Sequence, residues 1–223
     1  ARTSGRRWRR PAARRRSECI TSKTAMDMVI LIDNGHGAET PGKRSPDGRL
    51  REYRYAREIA RRVAAGLRGC GLDARLLVEE EADIPLSIRC KRVNAVCREE
   101  GAGRVLLVSI HNNAAGADGQ WHDARGWQAC VSLNASTRSK RLACHLFDAA
   151  SEQGLRLRQP GPGKKWWAQN LAICRETQCA AVLTENLFQD NRGDVGYLLS
   201  EAGRAAIAAL HVNGITDYIK DMK

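Results

Sequence analysis

Two histidines sit at the ends of two apolar runs. Met28-Val29-Ile30-Leu31-Ile32-Asp33 leads into Asn34-Gly35-His36-Gly37, and Val105-Leu106-Leu107-Val108-Ser109-Ile110 leads into His111-Asn112-Asn113. A third run, Ala180-Ala181-Val182-Leu183-Thr184, ends at Glu185. Imidazole nitrogens and carboxylate oxygens are good zinc ligands, and a catalytic zinc takes three protein ligands and leaves a fourth position open. Such a centre lowers the pKa of bound water toward neutrality and polarises a carbonyl. A carboxylate within hydrogen-bond reach can take that water's proton and pass it to a departing amine. The residues therefore suggest amide hydrolysis at a single Zn²⁺, with His36 and His111 as ligands and Glu185 as general base and acid. Glu52, at the start of the first expected helix, is the candidate third ligand, with Glu39 and Glu58 as rivals. Glu39 is too near His36 for an easy chelate, and Glu58 lies mid-helix, over one and a half turns further from the loop.

Position depends on the elements that carry these groups. Short β-branched apolar runs suit buried strands of a largely parallel sheet, and ligands bind at the carboxyl ends of such strands. The sequence predicts helices over about 52–68, with Gly69 at the C-cap, 86–100, 137–153, 168–176 and 200–219, alternating with strands that include 74–78 and 126–132. This alternation predicts one three-layer α/β/α domain with a mostly parallel central sheet of about six strands. The zinc site would lie at the carboxyl ends of its strands. The flanking glycines would leave the His36 imidazole clear. His145 and His211 fall on helix stripes and suit packed positions, while His122 suits a solvated loop.

Charge divides the chain. Of the formal net charge of +12, residues 1–25 carry +8, which leaves +4 for the other 198 residues. The basic segment has no apolar core of a secretory signal, and is expected to be a disordered leader, or sequence ahead of a start at Met26 or Met28. The domain is then 26–223, with no nucleic-acid-binding motif and no stretch long enough to span a bilayer. A monomer is expected. The eight cysteines show no C-x-x-C spacing and suit buried free thiols. Cys90 and Cys97 are expected on one helix face with Leu86 and Val93.

Five ordered motifs carry a family resemblance. Asp33-Asn34-Gly35-His36-Gly37 is similar to an Asp-Pro-Gly-His-Gly opening, with Asn34 in place of proline. Glu52 stands where a ligand glutamate begins the first helix. Leu86 to Asn94 resembles Leu-x-x-Arg-x-x-x-x-Asn, and Ser109-Ile110-His111-Asn112-Asn113 resembles Ser-Ile-His-Ala-Asn. Glu185-Asn186-Leu187-Phe188-Gln189-Asp190-Asn191, with Asp194 beyond, resembles Glu-x-Gly-Phe-x-x-Asn-x-x-Asp, with Leu187 in place of glycine. Over residues 28–220 the chain thus resembles the zinc-dependent N-acetylmuramoyl-L-alanine amidases of the amidase-3 type.

The resemblance implies one zinc on His36, Glu52 and His111, with Glu185 catalytic, and cleavage between N-acetylmuramic acid and L-alanine in peptidoglycan. It also implies an open groove, because the helical plug of some members has no counterpart. Asn113, Arg158, Trp166 and Trp167 are the expected substrate contacts, with Lys164 and Lys165 beside them for peptide carboxylates. The two tryptophans could equally anchor the helix that follows. A hydrolase of soluble muropeptides or other amides, or a non-catalytic peptidoglycan-binding relative, are the alternatives. The implied substrate lies in the bacterial cell wall, in the periplasm or outside the cell. A holin-dependent, non-classical or misassigned-start route would reconcile that place with the basic segment.

Overall fold

The computed structural model describes residues 27–222; the expected leader over 1–25 lies outside them. In chain order the elements are β1 (Val29–Asn34), α1 (Glu52–Gly69), β2 (Asp73–Leu76), α2 (Leu86–Glu100), a 3₁₀ turn (Ala102–Arg104), β3 (Val105–Asn113), β4 (Gln128–Ser132), α3 (Thr137–Glu152), β5 (Trp167–Gln169), α4 (Ala172–Arg175), β6 (Ala180–Phe188), α5 (Arg192–Leu199) and α6 (Glu201–Lys220). The strands form one six-stranded sheet in the order β2-β1-β3-β6-β4-β5. β2, β1, β3 and β6 run parallel, and β4 pairs antiparallel with β6 and parallel with β5.

The alternation of side chains along each strand builds two cores. Ile30, Ile32, Leu106, Val108, Ala180 and Val182 face one side and pack against α1, α3 and α6 through residues such as Ile59, Val63, Leu142 and Ile207. Val29, Leu31, Val105, Leu107, Ala181 and Leu183 face the other side and pack against α2 and α4 through Cys90, Val93, Cys97, Ile173 and Cys174. The result is the expected three-layer sandwich. On α1 the expected stripe of Ala56, Ile59, Ala60, Val63, Ala64 and Leu67 is wholly buried. Each larger aliphatic side chain on it contributes about 1.5–3 kcal/mol. Seven cysteines among the described residues are free, six of them buried.

Several boundaries differ from expectation. α1 runs through Gly69, with Cys70 at its C-cap, and the left-handed turn residue is Gly71. The helix expected from 168 is split. Residues 167–169 join the sheet edge as β5, paired through Cys130 with Trp167, and only Ala172–Arg175 is helical. Leu86 does not share the buried face of Cys90, Val93 and Cys97. It opens α2 and is 46% exposed. α5 had no apolar stripe to announce it; the Asn191 side chain starts it by accepting hydrogen bonds from the Gly193 and Asp194 amides. Both His111 and Glu185 lie before the ends of their strands, because the β3–β6 ladder continues past them through a register shift to Asn113 and Phe188.

Candidate metal centre

His36 sits where the turn after β1 is most constrained. Its φ of 61° is left-handed, an uncommon state for a residue with a Cβ. Glycine is required on both sides. A Cβ on Gly35 would lie 2.3 Å from the His111 ring, and one on Gly37 would lie 2.1 Å from the Asp83 nitrogen. Two buried arginines hold the turn. Arg57 donates to the His36 carbonyl at 3.0 Å and to that of Glu80 at 2.6 Å. Arg89 donates to the carbonyls of Asn34, Ile84 and His36 and forms a buried ion pair of 2.8 Å with Asp33. The Ser109 hydroxyl donates to the other Asp33 oxygen at 2.5 Å. The strand β1 carboxylate thus ties the turn to both β3 and α2.

Glu52 is the first residue of α1 and is 0% exposed. Its Oε1 lies 3.4 Å from His36 Nε2 and 3.3 Å from His111 Nδ1, and accepts a hydrogen bond of 2.9 Å from the Asn112 amide. Its Oε2 is buried without a hydrogen-bond partner, with Lys43 Nζ 3.9 Å away. The two imidazoles meet edge-on, with ring centroids 4.9 Å apart. One ligand atom from each of His36, Glu52 and His111 lies within 4.8 Å of the others, so the three could hold a metal ion. The rival carboxylates are committed elsewhere. Glu39 accepts from the Asp83 amide, and Glu58 pairs with Arg62 and Arg204.

Burial lowers the His36 pKa to about 4, so its imidazole is neutral near pH 7, as a ligand must be. Burial opposes charge on His111 too, but the hydrogen bond and negative charge of Glu52 outweigh it and raise its pKa. Burial disfavours ionised Glu52, yet the hydrogen bond to His111 and the charges of His111, His36 and Lys43 keep it below the usual carboxylate range.

Glu185, on β6, is the register partner of His111 on β3 and of Gln128 on β4. Burial pushes its pKa up to about 7, and its Oε2 has no hydrogen-bond partner. Its neighbour Asn186 braces the site from behind, donating through Nδ2 to the His111 carbonyl at 3.0 Å and accepting from Trp127 Nε1 at 2.8 Å. Leu187, at the position expected to be glycine, is buried with φ of 64°. The backbone there is left-handed, a state glycine adopts without the cost of a Cβ.

The other expected groups are distributed around this centre. Asn113 ends β3, two residues past His111, and its carbonyl accepts from the Gln189 amide. Arg158 donates to Gln128 at 3.1 Å and lies over the Phe188 ring at 4.9 Å. Trp166 packs against one core and Trp167 against the other, at the start of β5. His211 is buried, His145 reaches Asp221, and His122 pairs with Asp118 in its loop. Sequence reasoning did not single out Arg57, Lys43 or Gln128, and assigned Arg89 no task. An arginine two residues past a buried helix position looks like a solvated charge until the loop it grips is known.

The comparisons agree with this geometry. The sequence profile of the Amidase_3 family, described as N-acetylmuramoyl-L-alanine amidase, matches residues 30–217. The chain is 31% identical over 187 residues to the N-acetylmuramoyl-L-alanine amidase CwlM of Bacillus licheniformis, covering 83% of this chain and 66% of that protein. It is 25% identical over 195 residues to the endolysin of Bacillus phage SPP1, covering 87% of this chain and 67% of that one. The chain therefore spans about two thirds of the length of these relatives. The catalytic domain of the amidase CwlV from Bacillus (Paenibacillus) polymyxa superposes with a TM-score of 0.71 at 26% identity, covering 88% of this chain and 99% of that domain. The amidase Ami1 of Mycobacterium smegmatis gives 0.75 at 18% identity, over 87% and 98% of the two chains. With its motifs brought to one point on the shared fold, this chain belongs to the N-acetylmuramoyl-L-alanine amidase family.

Proposed function

We propose that the protein is a zinc-dependent amidase that cleaves the bond between N-acetylmuramic acid and L-alanine in peptidoglycan, and so acts on the bacterial cell wall. His36, Glu52 and His111 are the metal ligands and Glu185 is the catalytic carboxylate. The observation that carries this is the Glu52 carboxylate, fully buried between two imidazoles with one oxygen unpartnered. A buried, ionised carboxylate with an orphan oxygen is costly unless a cation completes it. Two histidines and a glutamate form a tridentate set of the kind catalytic zinc sites use. When bound, zinc supplies a Lewis acid that acidifies water and polarises the scissile carbonyl.

The chain's own groups do the rest. Glu185 Oε2 takes a proton from the attacking water and returns it to the departing L-alanine nitrogen. Its pKa of about 7 suits both transfers. Gln128 and His111 flank it as register partners on the neighbouring strands. Asn113 and Arg158, with the outer faces of Trp166 and Trp167, supply contacts to glycan and peptide. Aromatic faces suit sugar rings and guanidinium suits carboxylate. Among the described residues no helix is long and apolar enough to cross a membrane.

The test is release of peptides with new N-terminal alanine from purified peptidoglycan, with zinc-loaded wild type, chelator-treated wild type and Glu185→Gln compared. Release by the zinc-loaded wild type alone, with Glu185→Gln still binding zinc but about 10²–10⁴-fold slower, is expected. Zinc-loaded wild type that releases no alanine from wall or soluble muropeptides overturns the proposal.

A further inference from the structure

The scissile bond named above has unlike sides. The lactyl side is a neutral sugar. The amine side is a peptide, and its first carboxylate, on the residue after L-alanine, lies about 6 Å from the scissile nitrogen by standard backbone dimensions. Free positive charge close to the metal centre would therefore recognise the peptide side.

Such charge is concentrated at one place. A cleft of 290 Å³ is lined by Lys43, Arg44, Arg51 and Tyr53 together with residues 38–42. Glu39 is the one acid on its wall, and its carboxylate already accepts from the Asp83 amide. Among the described residues neither Arg44 nor Arg51 pairs with a carboxylate, and both are exposed. Lys43 Nζ stands 3.9 Å from Glu52 Oε2, so the cleft opens beside the metal centre. The positive end of α1, which begins one residue after Arg51, adds to the field.

The cations ride on a fixed frame. The Glu52 amide donates to the Lys43 carbonyl at 3.0 Å, and Arg44 and Arg51 form an antiparallel bridge. The Ser45 amide donates to Leu50, and Asp47 accepts from Ser45 Oγ and Arg49 Nε to close the turn. The frame is thus tied to a metal-ligand residue. A second cleft of 370 Å³ shares Pro41 to Arg44 and is also lined by Gln189, a buried side chain whose Oε1 has no partner. That oxygen is a ready acceptor for a peptide N–H. By contrast, Lys165 is held by Asp148 and Arg158 by Gln128.

We propose that the Lys43–Arg44–Arg51 cleft is the subsite for stem-peptide carboxylates, and that it sets the direction in which substrate crosses the metal centre. The proposal rests on the amidase reading above. It places the first stem-peptide carboxylate over the residue 38–51 side, and leaves the loop at 158–167 to the glycan and the far end of the peptide.

The test uses two soluble muramoyl peptides, alike except that the residue after L-alanine carries either a free α-carboxylate or its carboxamide. Zinc-loaded wild type is expected to favour the carboxylate by about tenfold or more in kcat/KM, chiefly through KM, as loss of a charge-assisted hydrogen bond implies. In Arg44→Gln/Arg51→Gln the ratio falls toward one. Zinc affinity and thermal melting check that variant, and Arg44→Gln alone, at an exposed loop position, replaces it if either is impaired. Equal cleavage of both peptides by wild type overturns the subsite while leaving the amidase standing. So does an undiminished preference in the variants, or loss of the preference in Lys164→Gln/Lys165→Gln instead. Cleavage of neither peptide nor of purified wall by zinc-loaded wild type defeats the amidase reading, and the subsite with it.

Discussion

Replacing Arg89 by methionine should damage both the fold and the metal centre. The guanidinium is buried; its Nη1 pairs with Asp33 at 2.8 Å and also donates to the Asn34 carbonyl, while Nε and Nη2 donate to the carbonyls of Ile84 and His36. Methionine keeps much of the length and apolar stem but removes every one of these bonds. Asp33 would retain its bond from Ser109 but lose its cation. Breaking a buried ion pair from one side costs about 3–5 kcal/mol. A domain of this kind has roughly 5–15 kcal/mol in all, so Arg89→Met should lose about a fifth or more of its stability. Arg57 still grips the His36 carbonyl, so the turn should loosen rather than collapse. Zinc affinity should then fall about tenfold, at the mild end for an outer-shell change. Equilibrium urea unfolding gives the first number, provided the m-value is unchanged. Competition with a chelator gives the second. Adding Asp33→Asn should recover part of the stability, because the orphaned charge is then gone. If Arg89→Met unfolds within 1 kcal/mol of wild type and binds zinc as tightly, the arginine is only a filler, and the account of how the His36 turn is held is wrong.

Two further outcomes follow from single residues. Leu187 is buried at a φ of 64°, where a Cβ costs roughly 1–2 kcal/mol. Both Leu187→Ala and Leu187→Gly lose the packing of a buried side chain, but only glycine relieves the backbone. The usual order should therefore invert, with the glycine variant about 1 kcal/mol more stable than the alanine variant by urea unfolding. An alanine variant equal or superior would show that the backbone is unstrained. His211 is buried on α6, donating from Nδ1 to the Ile207 carbonyl at 2.7 Å and accepting at Nε2 from Thr184. Burial holds its pKa at about 4 in the folded protein, against about 6.5 in an unfolded chain. The folded state thus binds fewer protons between these values. The stability it contributes is complete above about pH 6.5 and is lost as pH falls toward 4, by about 2 kcal/mol at pH 5. His211→Asn should show a correspondingly shallower loss between pH 7 and 5, and parallel curves would contradict the assignment.

The sequence by itself determined the groups that could do chemistry and the architecture that carries them. Apolar runs ending at His36, His111 and Glu185 could be buried strands and little else, and amphipathic stripes such as Ala56 to Leu67 had to cover the sheet. The three-layer fold and the sheet of six strands follow from that alternation, because period and length are local properties. Tertiary structure decided what depends on neighbours distant in the chain. It placed Glu52, and not Glu39 or Glu58, within reach of both imidazoles. It turned residues 167–169 into an edge strand, because pairing with β4 outweighed their local preference. It gave Arg57 and Arg89 their task, which is to satisfy loop carbonyls brought near by the fold. It also set Lys165 against Asp148 and Arg158 against Gln128, and left Arg44 and Arg51 without a carboxylate partner among the described residues. A charge's partner is fixed by distance in space, and spacing along the chain does not encode that distance.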